Sequence, residues 1–321
     1  MILTVTINPL LERRYYYPSV QLSSPNRNGK RVIKAGGKGI NVSRQLNKLG
    51  VKNIALLFTG GNNGKLIRES LQLENINFTD IKTKSETRDG TVIIDQSNKN
   101  VQSFFGTSSE LTSSEVDSFI LKMEKMISIC EIVVFSGSSP CSAADNIFPE
   151  GIRIANKLDK ISVCDTYGVP LNNCLNASPT VIHNNVDEIK SSLGIKLDEE
   201  KDYNAFLNHL YDKGIKQAFI TDAEKPFYGS NFDFHYKVSL PKIDAADSTG
   251  SGDAFTAGII YGWHEKYTFE QQLRFASALG VCNAKSFEVC VAQKQDAELI
   301  VEQIKIISIG KKLKQTNDLP G

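Results

Sequence analysis

The stretch Asp247-Ser248-Thr249-Gly250-Ser251-Gly252-Asp253-Ala254-Phe255-Thr256-Ala257-Gly258 decides how the rest of the sequence is read. Small residues run into an apolar segment whose spacing predicts a helix over 253–264. Glycines at 250 and 252 let backbone N–H groups turn toward one point. A helix that starts there adds its positive end, so the segment is suited to hold an anion. Asp253 is out of place as structure alone, because its carboxylate would repel that anion. It makes chemical sense as the acceptor of a proton from an attacking hydroxyl. Taken in isolation, Gly-Ser-Gly-Asp could equally be a loop capped by its Ser or Asp. Two nucleotide motifs are excluded. Phe255 stands where a dinucleotide fingerprint needs its third glycine, and no Gly-Lys-Ser/Thr follows a four-residue spacer as in a P-loop.

Around this stretch the 321-residue chain is nearly neutral: 37 Lys plus Arg against 36 Asp plus Glu give a net charge of +1. Such a balance carries no electrostatic footprint for nucleic acid or an anionic membrane, so any anion binding must be local. The opening run Met1–Asn8 lacks a basic flank, is too short for a signal peptide or a membrane span, and reads as a strand. The six cysteines (130, 141, 164, 174, 282, 290) show no metal-ligand spacing, so reduced thiols, a cytoplasmic location and no structural zinc are expected.

Short β-type runs alternate with helical runs along the chain, the pattern of a parallel sheet covered by helices. Strands are predicted at 2–8, 53–59, 131–136, 161–165, 179–183 and 217–221. Helices are predicted at 39–49, 63–74, 112–127, 144–157, 186–193, 200–213, 253–264, 269–285 and 293–308. No repeat or low-complexity linker divides the chain, which favours one domain over 1–321. Four strand-like segments break the rhythm: Arg13–Tyr17, Gly29–Lys34, Gly90–Asp95 and Val101–Phe105, the last two flanking a turn at Ser97–Asn100. They read as a small antiparallel lid, with segments approximately 11–35 and 88–106 inserted in the α/β body; edge extensions of the main sheet are the alternative. A lid with exposed edges leaves room for a homodimer formed through it.

Between the lid segments lies a second glycine cluster, Ala35-Gly36-Gly37-Lys38-Gly39-Ile40-Asn41, opening a helix that stops at Gly50. Three glycines in four positions cost conformational entropy without packing return, which favours close approach to a ligand over a plain turn.

Taken together, these segments resemble the ribokinase-like, or PfkB, carbohydrate kinases. The two glycine clusters match that family's two signatures in order. Thr4–Pro9, Asn26-Arg27, Glu86–Arg88 and Ser136–Pro140 match as well, and they are most similar to its phosphosugar branch of tagatose-6-phosphate kinases and 1-phosphofructokinases. The resemblance implies a ribokinase-like α/β fold with a β lid, and an ATP- and Mg²⁺-dependent kinase acting on a hydroxyl of a ketohexose phosphate. It implies Asp253 as catalytic base and the backbone of Gly250, Ser251 and Gly252 as the anion hole. Glu188, in Asn185-Val-Asp-Glu188, would help position hydrated Mg²⁺. Asn185, Thr221 and Asn283 would lie near the nucleotide. Gly37, Lys38, Asn41, Ser138 and Glu12 would meet the sugar, with Arg27 and Arg88 facing its resident phosphate.

Three departures from the family pattern bear on activity. Glu12 stands where the branch carries an aspartate, moving the carboxylate by roughly 1.5 Å. His183 replaces a lysine near the phosphates, although it could instead be a packed core histidine. Asp222–Pro226 replaces a Gly-x-x-Gly loop, placing acids where ATP phosphates would lie. Glu12 and the lost loop support a rival function, a catalytically weak sugar-phosphate-binding or regulatory protein on the same fold; intact Asp253, Glu188 and the anion-hole glycines oppose it.

Overall fold

The segment Ile-Leu-Thr-Val-Thr after Met1 is buried at every residue and forms β1 (Ile2–Thr6). Burial on both faces is the mark of a central parallel strand covered by helices on each side. The structure, a computed structural model, describes residues 1–311. After β1 come β2 (Leu10–Tyr17), β3 (Lys30–Gly36), α1 (Lys38–Lys48), β4 (Asn53–Gly60), α2 (Gly61–Leu73) and β5 (Phe78–Thr83). The middle of the chain forms β6 (Asp89–Asp95), β7 (Asn100–Phe105), α3 (Ser113–Ile129), β8 (Ile132–Gly137), α4 (Ile147–Lys157), β9 (Ile161–Thr166) and α5 (Pro170–Asn176). Next are β10 (Val181–Asn185), α6 (Val186–Leu193), α7 (Glu200–Asp212), β11 (Gln217–Thr221), β12 (Phe227–Asn231) and β13 (Phe234–Ser239). α8 (Ser251–His264), α9 (Phe269–Ala284), α10 (Lys294–Glu298) and β14 (Lys305–Lys311) complete the described chain.

A ten-stranded sheet runs in the order β14-β13-β12-β11-β10-β9-β8-β1-β4-β5. The strands from β11 to β5 are parallel, and β12, β13 and β14 extend one edge antiparallel. Side chains alternate between two apolar layers. Ile2, Ile132 and Val134 pack with α1, α8 and α9, whereas Leu3, Val5, Val133 and Phe135 pack with α3 and α4. Several helices are started by reciprocal caps, Thr112 with Glu115 for α3 and Thr268 with Gln271 for α9. Each such cap is worth about 1 kcal/mol.

The four strands outside that rhythm form a separate sheet, β3-β2-β6-β7, and not edge extensions of the large one. Its outer pairs are antiparallel, and β6 and β7 make the expected hairpin. The central pair, β2 with β6, is parallel. The reason is topological: β2 follows β1 and β6 follows β5, so both leave the C-terminal ends of parallel body strands and travel the same way.

The expected helix over 293–308 is corrected. It breaks after α10 into a 3₁₀ turn at Val301–Gln303 and then β14, paired with β13. Helical spacing holds through the buried Ala297, Ile300 and Ile304, after which Ile306, Ile307 and Ile309 favour the open sheet edge. The short α5, edge strand β5 and the β12–β13 hairpin are also absent from the sequence reading. Among the described residues, no helix is long and apolar enough to cross a membrane.

Candidate active site

The two glycine clusters meet at one point. Gly250 adopts the left-handed conformation (φ 78°) that turns the chain into α8, and Gly37, extended but also at positive φ (120°), leads into α1. Neither helix start is capped by a side chain. Among the described residues, the amides of Gly252 and Asp253 have no acceptor, so they are free to meet an anion. Asn41, in the first turns of α1, donates its amide to Asp253 Oδ2 at 2.7 Å and so joins the two helix starts directly.

Lys38 sets the charge of this junction. Its ammonium bridges Asp165 Oδ1 at 2.7 Å and Glu188 Oε1 at 2.6 Å and lies over the Tyr167 ring. Burial works against the lysine's charge, but Asp165, Glu188 and Asp253 outweigh it and push its pKa up. Burial likewise opposes ionisation of Asp165, yet Lys38 and His183 hold that carboxyl well below the usual range. Asp253 goes the other way. Burial pushes it up to about 7, with the charges of Asp165 and Glu188 adding to the rise and Lys38 and the Asn41 hydrogen bond opposing it. Three carboxylates around one ammonium thus have different tasks: Asp165 stays charged as a fixed anchor, and Asp253 is poised to exchange a proton near neutrality.

Glu188 is oriented by its place on α6. Asn185 caps the helix and accepts from the Glu188 amide at 2.8 Å, while Glu188 Oε2 accepts from the Asn185 amide and from Asn184 Nδ2. His183 is buried. Its Nδ1 lies 3.2 Å from Asp165 Oδ2 and 3.1 Å from Thr256 Oγ1, and its Nε2 lies 3.2 Å from Thr221 Oγ1. The packed-histidine alternative therefore describes it, with the addition that it ties the Asp165 anchor to β11.

On the lid side, Arg88 precedes β6 and donates to the carbonyls of Asn8 (3.1 Å) and Pro9 (3.4 Å). Among the described residues it has no carboxylate partner, and burial lowers its pKa. Asn8 Nδ2 in turn donates to Ser138 Oγ at 3.1 Å, which brings Arg88, Asn8 and Ser138 into one group at the ends of β1 and β8. Glu12, on β2, lies on the same sheet and folds back over β3: a Cβ added at Gly36 would fall 2.4 Å from its Oε1.

Asn283 is buried: its Nδ2 donates to Thr249 O and Ser251 Oγ, and its Oδ1 accepts from Cys290 N. It holds the 247–251 loop from behind. Arg27 lies in the exposed loop between β2 and β3 and makes no hydrogen bond or ion pair among the described residues. In the 222–226 turn, Lys225 pairs with Asp222 at 3.1 Å, which offsets part of the acidity introduced there. A cavity between α9 and α10 is lined by Asn283, Lys285, Ser286, Glu288, Asp296 and Leu299; it includes Asn283 of the expected site residues but none of Lys38, Asn41, Glu188 or Asp253.

Asp165 and Arg14 were not singled out from the sequence. Asp165 had one available signal, a carboxylate at the C-terminal end of a buried parallel strand, where open α/β sheets bind ligands.

A profile of the pfkB family carbohydrate kinases matches residues 11–295. The chain belongs to that family. A tagatose-6-phosphate kinase from Staphylococcus epidermidis is 30% identical over 312 residues, covering 96% of this chain and 100% of its own. A 1-phosphofructokinase from Borreliella burgdorferi is 28% identical, with 96% and 99% covered. Among solved structures, a Thermotoga maritima protein described as a possible 1-phosphofructokinase matches with a TM-score of 0.89 at 25% identity, covering 97% of this chain and all of that one. Phosphofructokinase-2 from Escherichia coli, in its tetrameric inhibited form, matches with a TM-score of 0.84 at 21% identity over 94% of this chain and 98% of that one. The large sheet between helix layers and the small lid sheet are the ribokinase-like fold of the family, and the activity of the family is that of a carbohydrate kinase.

Proposed function

We propose that the chain transfers the γ-phosphoryl group of ATP to a hydroxyl of a ketohexose phosphate of the tagatose 6-phosphate or fructose 1-phosphate type. The observation that carries this reading is Asp253: a buried carboxyl, pushed up to about 7, held by Asn41 where two uncapped helix starts converge. A group of that kind can take the acceptor's proton at neutral pH as the oxygen attacks the γ-phosphorus and ADP leaves. The amides of Gly250, Gly252 and Asp253 would stabilise charge on the transferring group, whereas the expected Ser251 amide is spent on the Ser248 carbonyl at 3.0 Å. No covalent phosphoenzyme is needed, since donor and acceptor can meet in line.

Asn41, Lys38, Glu12 and the Gly37 backbone would position the sugar, with Ser138 beside them. Arg88 suits the resident phosphate because a half-buried guanidinium without a carboxylate partner can accept a phosphate in its fork. Asn185 and Thr221 would border the nucleotide.

Magnesium fits the residues present. Glu188 offers a hard oxygen donor held in place by two N–H groups. Among the described residues no group of three or more His, Cys, Asp or Glu could hold an ion unaided. That donor set suits an ion that arrives on the nucleotide phosphates and keeps most of its waters. When bound, Mg²⁺ would neutralise charge on those phosphates. The metabolic character of the substrates supports a cytoplasmic enzyme, formed from one domain. Exposed Phe104 and Phe105 on the lid edge strand β7 support pairing of two copies through the lid.

The test is ADP release with Mg·ATP across fructose 1-phosphate, tagatose 6-phosphate, fructose 6-phosphate and the free ketohexoses. Turnover of one or more of the phosphorylated ketohexoses is expected. Turnover confined to free sugars would remove the phosphosugar assignment.

A further inference from the structure

Alternation along β2 sends Arg13 toward Asp89 and Asn63, and sends Glu12, Arg14 and Tyr16 to the opposite face. On that face Arg14 is 1% exposed. Its Nη1 donates to Glu12 Oε2 at 2.9 Å and its Nη2 to the carbonyl of Phe287 at 2.9 Å. The same Nη2 lies 3.9 Å from Asp247 Oδ2. Asp247 uses its other oxygen to bind the amide and hydroxyl of Thr249, the turn from which the anion loop starts. Flanking this contact, Tyr16 and Lys34 both bind the carboxylate of Glu288. Two lid strands therefore grip the 286–288 segment, and Arg14 stands at the centre of the grip.

Burying an arginine is costly unless its charge is matched. Here Glu12, on the sugar side of the lid, pairs with it directly, and Asp247, at the root of the phosphoryl-binding loop, lies 3.9 Å away without a hydrogen bond. A guanidinium is planar and rigid, so it transmits position between the groups it joins in a way that a flexible ammonium does not. We infer that Arg14 is the positioning residue that sets Glu12 relative to the anion loop, and thereby the spacing between sugar acceptor and phosphoryl donor. It also accounts for the extra methylene of Glu12, whose carboxylate is drawn back over Gly36 and onto the guanidinium. The inference rests on the kinase reading of Asp253 and Glu12 above.

The test is a kinetic double-mutant cycle on the full chain, with a sugar phosphate that the wild type turns over. Arg14→Lys is expected to lower kcat/KM for the sugar phosphate by about tenfold, and Arg14→Met by about a hundredfold, with KM for Mg·ATP within about twofold. In a Glu12→Gln background, Arg14→Met should cost little more, because the group it positions is already gone. Equal rises in both KM values, or additive losses in the double variant, would overturn the inference. A second arm needs neither turnover nor Arg14→Met to fold. Arg14→Lys should speed amide hydrogen exchange in both β2 and residues 247–251 of the unliganded protein, and unchanged exchange in 247–251 would also overturn it. Absence of wild-type ADP release counts against the proposed function alone, and the exchange arm still decides the inference.

Discussion

The floor of the cleft and the lid face above it are both charged, but they are assembled differently. At the floor, the first turns of α1 and α8 offer backbone amides, and Lys38 sits among Asp165, Glu188 and Asp253. Each of these residues is placed by a helix start or a strand end of the rigid body. On the lid face, Arg14 is held between Glu12 and the 287 carbonyl, and Arg88 rests on the carbonyls of residues 8 and 9. There the charges are placed by β2 and the segment leading into β6. The contrast separates two jobs. The floor adjusts proton affinity by burial and like charges, while the lid keeps Arg14 as a buried tie and leaves Arg88 without a carboxylate partner among the described residues.

Variants can break this division, and the largest effect is expected at the floor. Asp253→Asn keeps the shape and the Asn41 contact but cannot accept a proton, so kcat should fall by about 10³-fold while KM for ATP changes by less than about threefold. Steady-state kinetics with a nucleotide-binding titration would check it, and a kcat near the wild-type value would remove Asp253 as the base. A smaller and more selective effect is expected on the lid. Arg88→Ala should raise KM for a ketohexose phosphate by about 10- to 100-fold, the worth of charge-assisted hydrogen bonds to phosphate, and leave KM for the free sugar almost unchanged. Equal changes for both sugars would mean that Arg88 does not read the phosphate, and the division between floor and lid would fail on the lid side.

The same contrast explains what could be read from the sequence. Asp253, Gly250, Lys38 and Asn41 were legible because each lies in a short glycine-turn segment whose local chemistry is complete within a few residues, whereas Glu188 was marked only by the family's Asn-x-x-Glu motif. The parallel body was legible from its alternating runs. Asp165 was not, because its importance comes from β9 lying beside β8 and from a lysine more than a hundred positions away. Arg14 was hidden for the same reason, since its partner carbonyl at Phe287 is 273 residues distant. The part Asn283 plays in the loop was hidden as well, since its three hydrogen bonds reach Thr249, Ser251 and Cys290 across the fold. β14 was missed because helical spacing through Ile304 passes without a break into a β-branched run that only the edge of β13 could recruit.

The account turns on a buried carboxyl that loses its proton near neutrality, and the pH dependence of kcat/KM tests it most directly because that quantity reports groups of the free enzyme. Asp253 must be ionised to act as a base, and burial has raised it to about 7, so activity should be low in acid and climb as the pH passes through about 7. An acid limb centred there, with a well-folded protein at every pH used, is the predicted result. A limb centred near pH 4, where an ordinary aspartate titrates, would contradict the account.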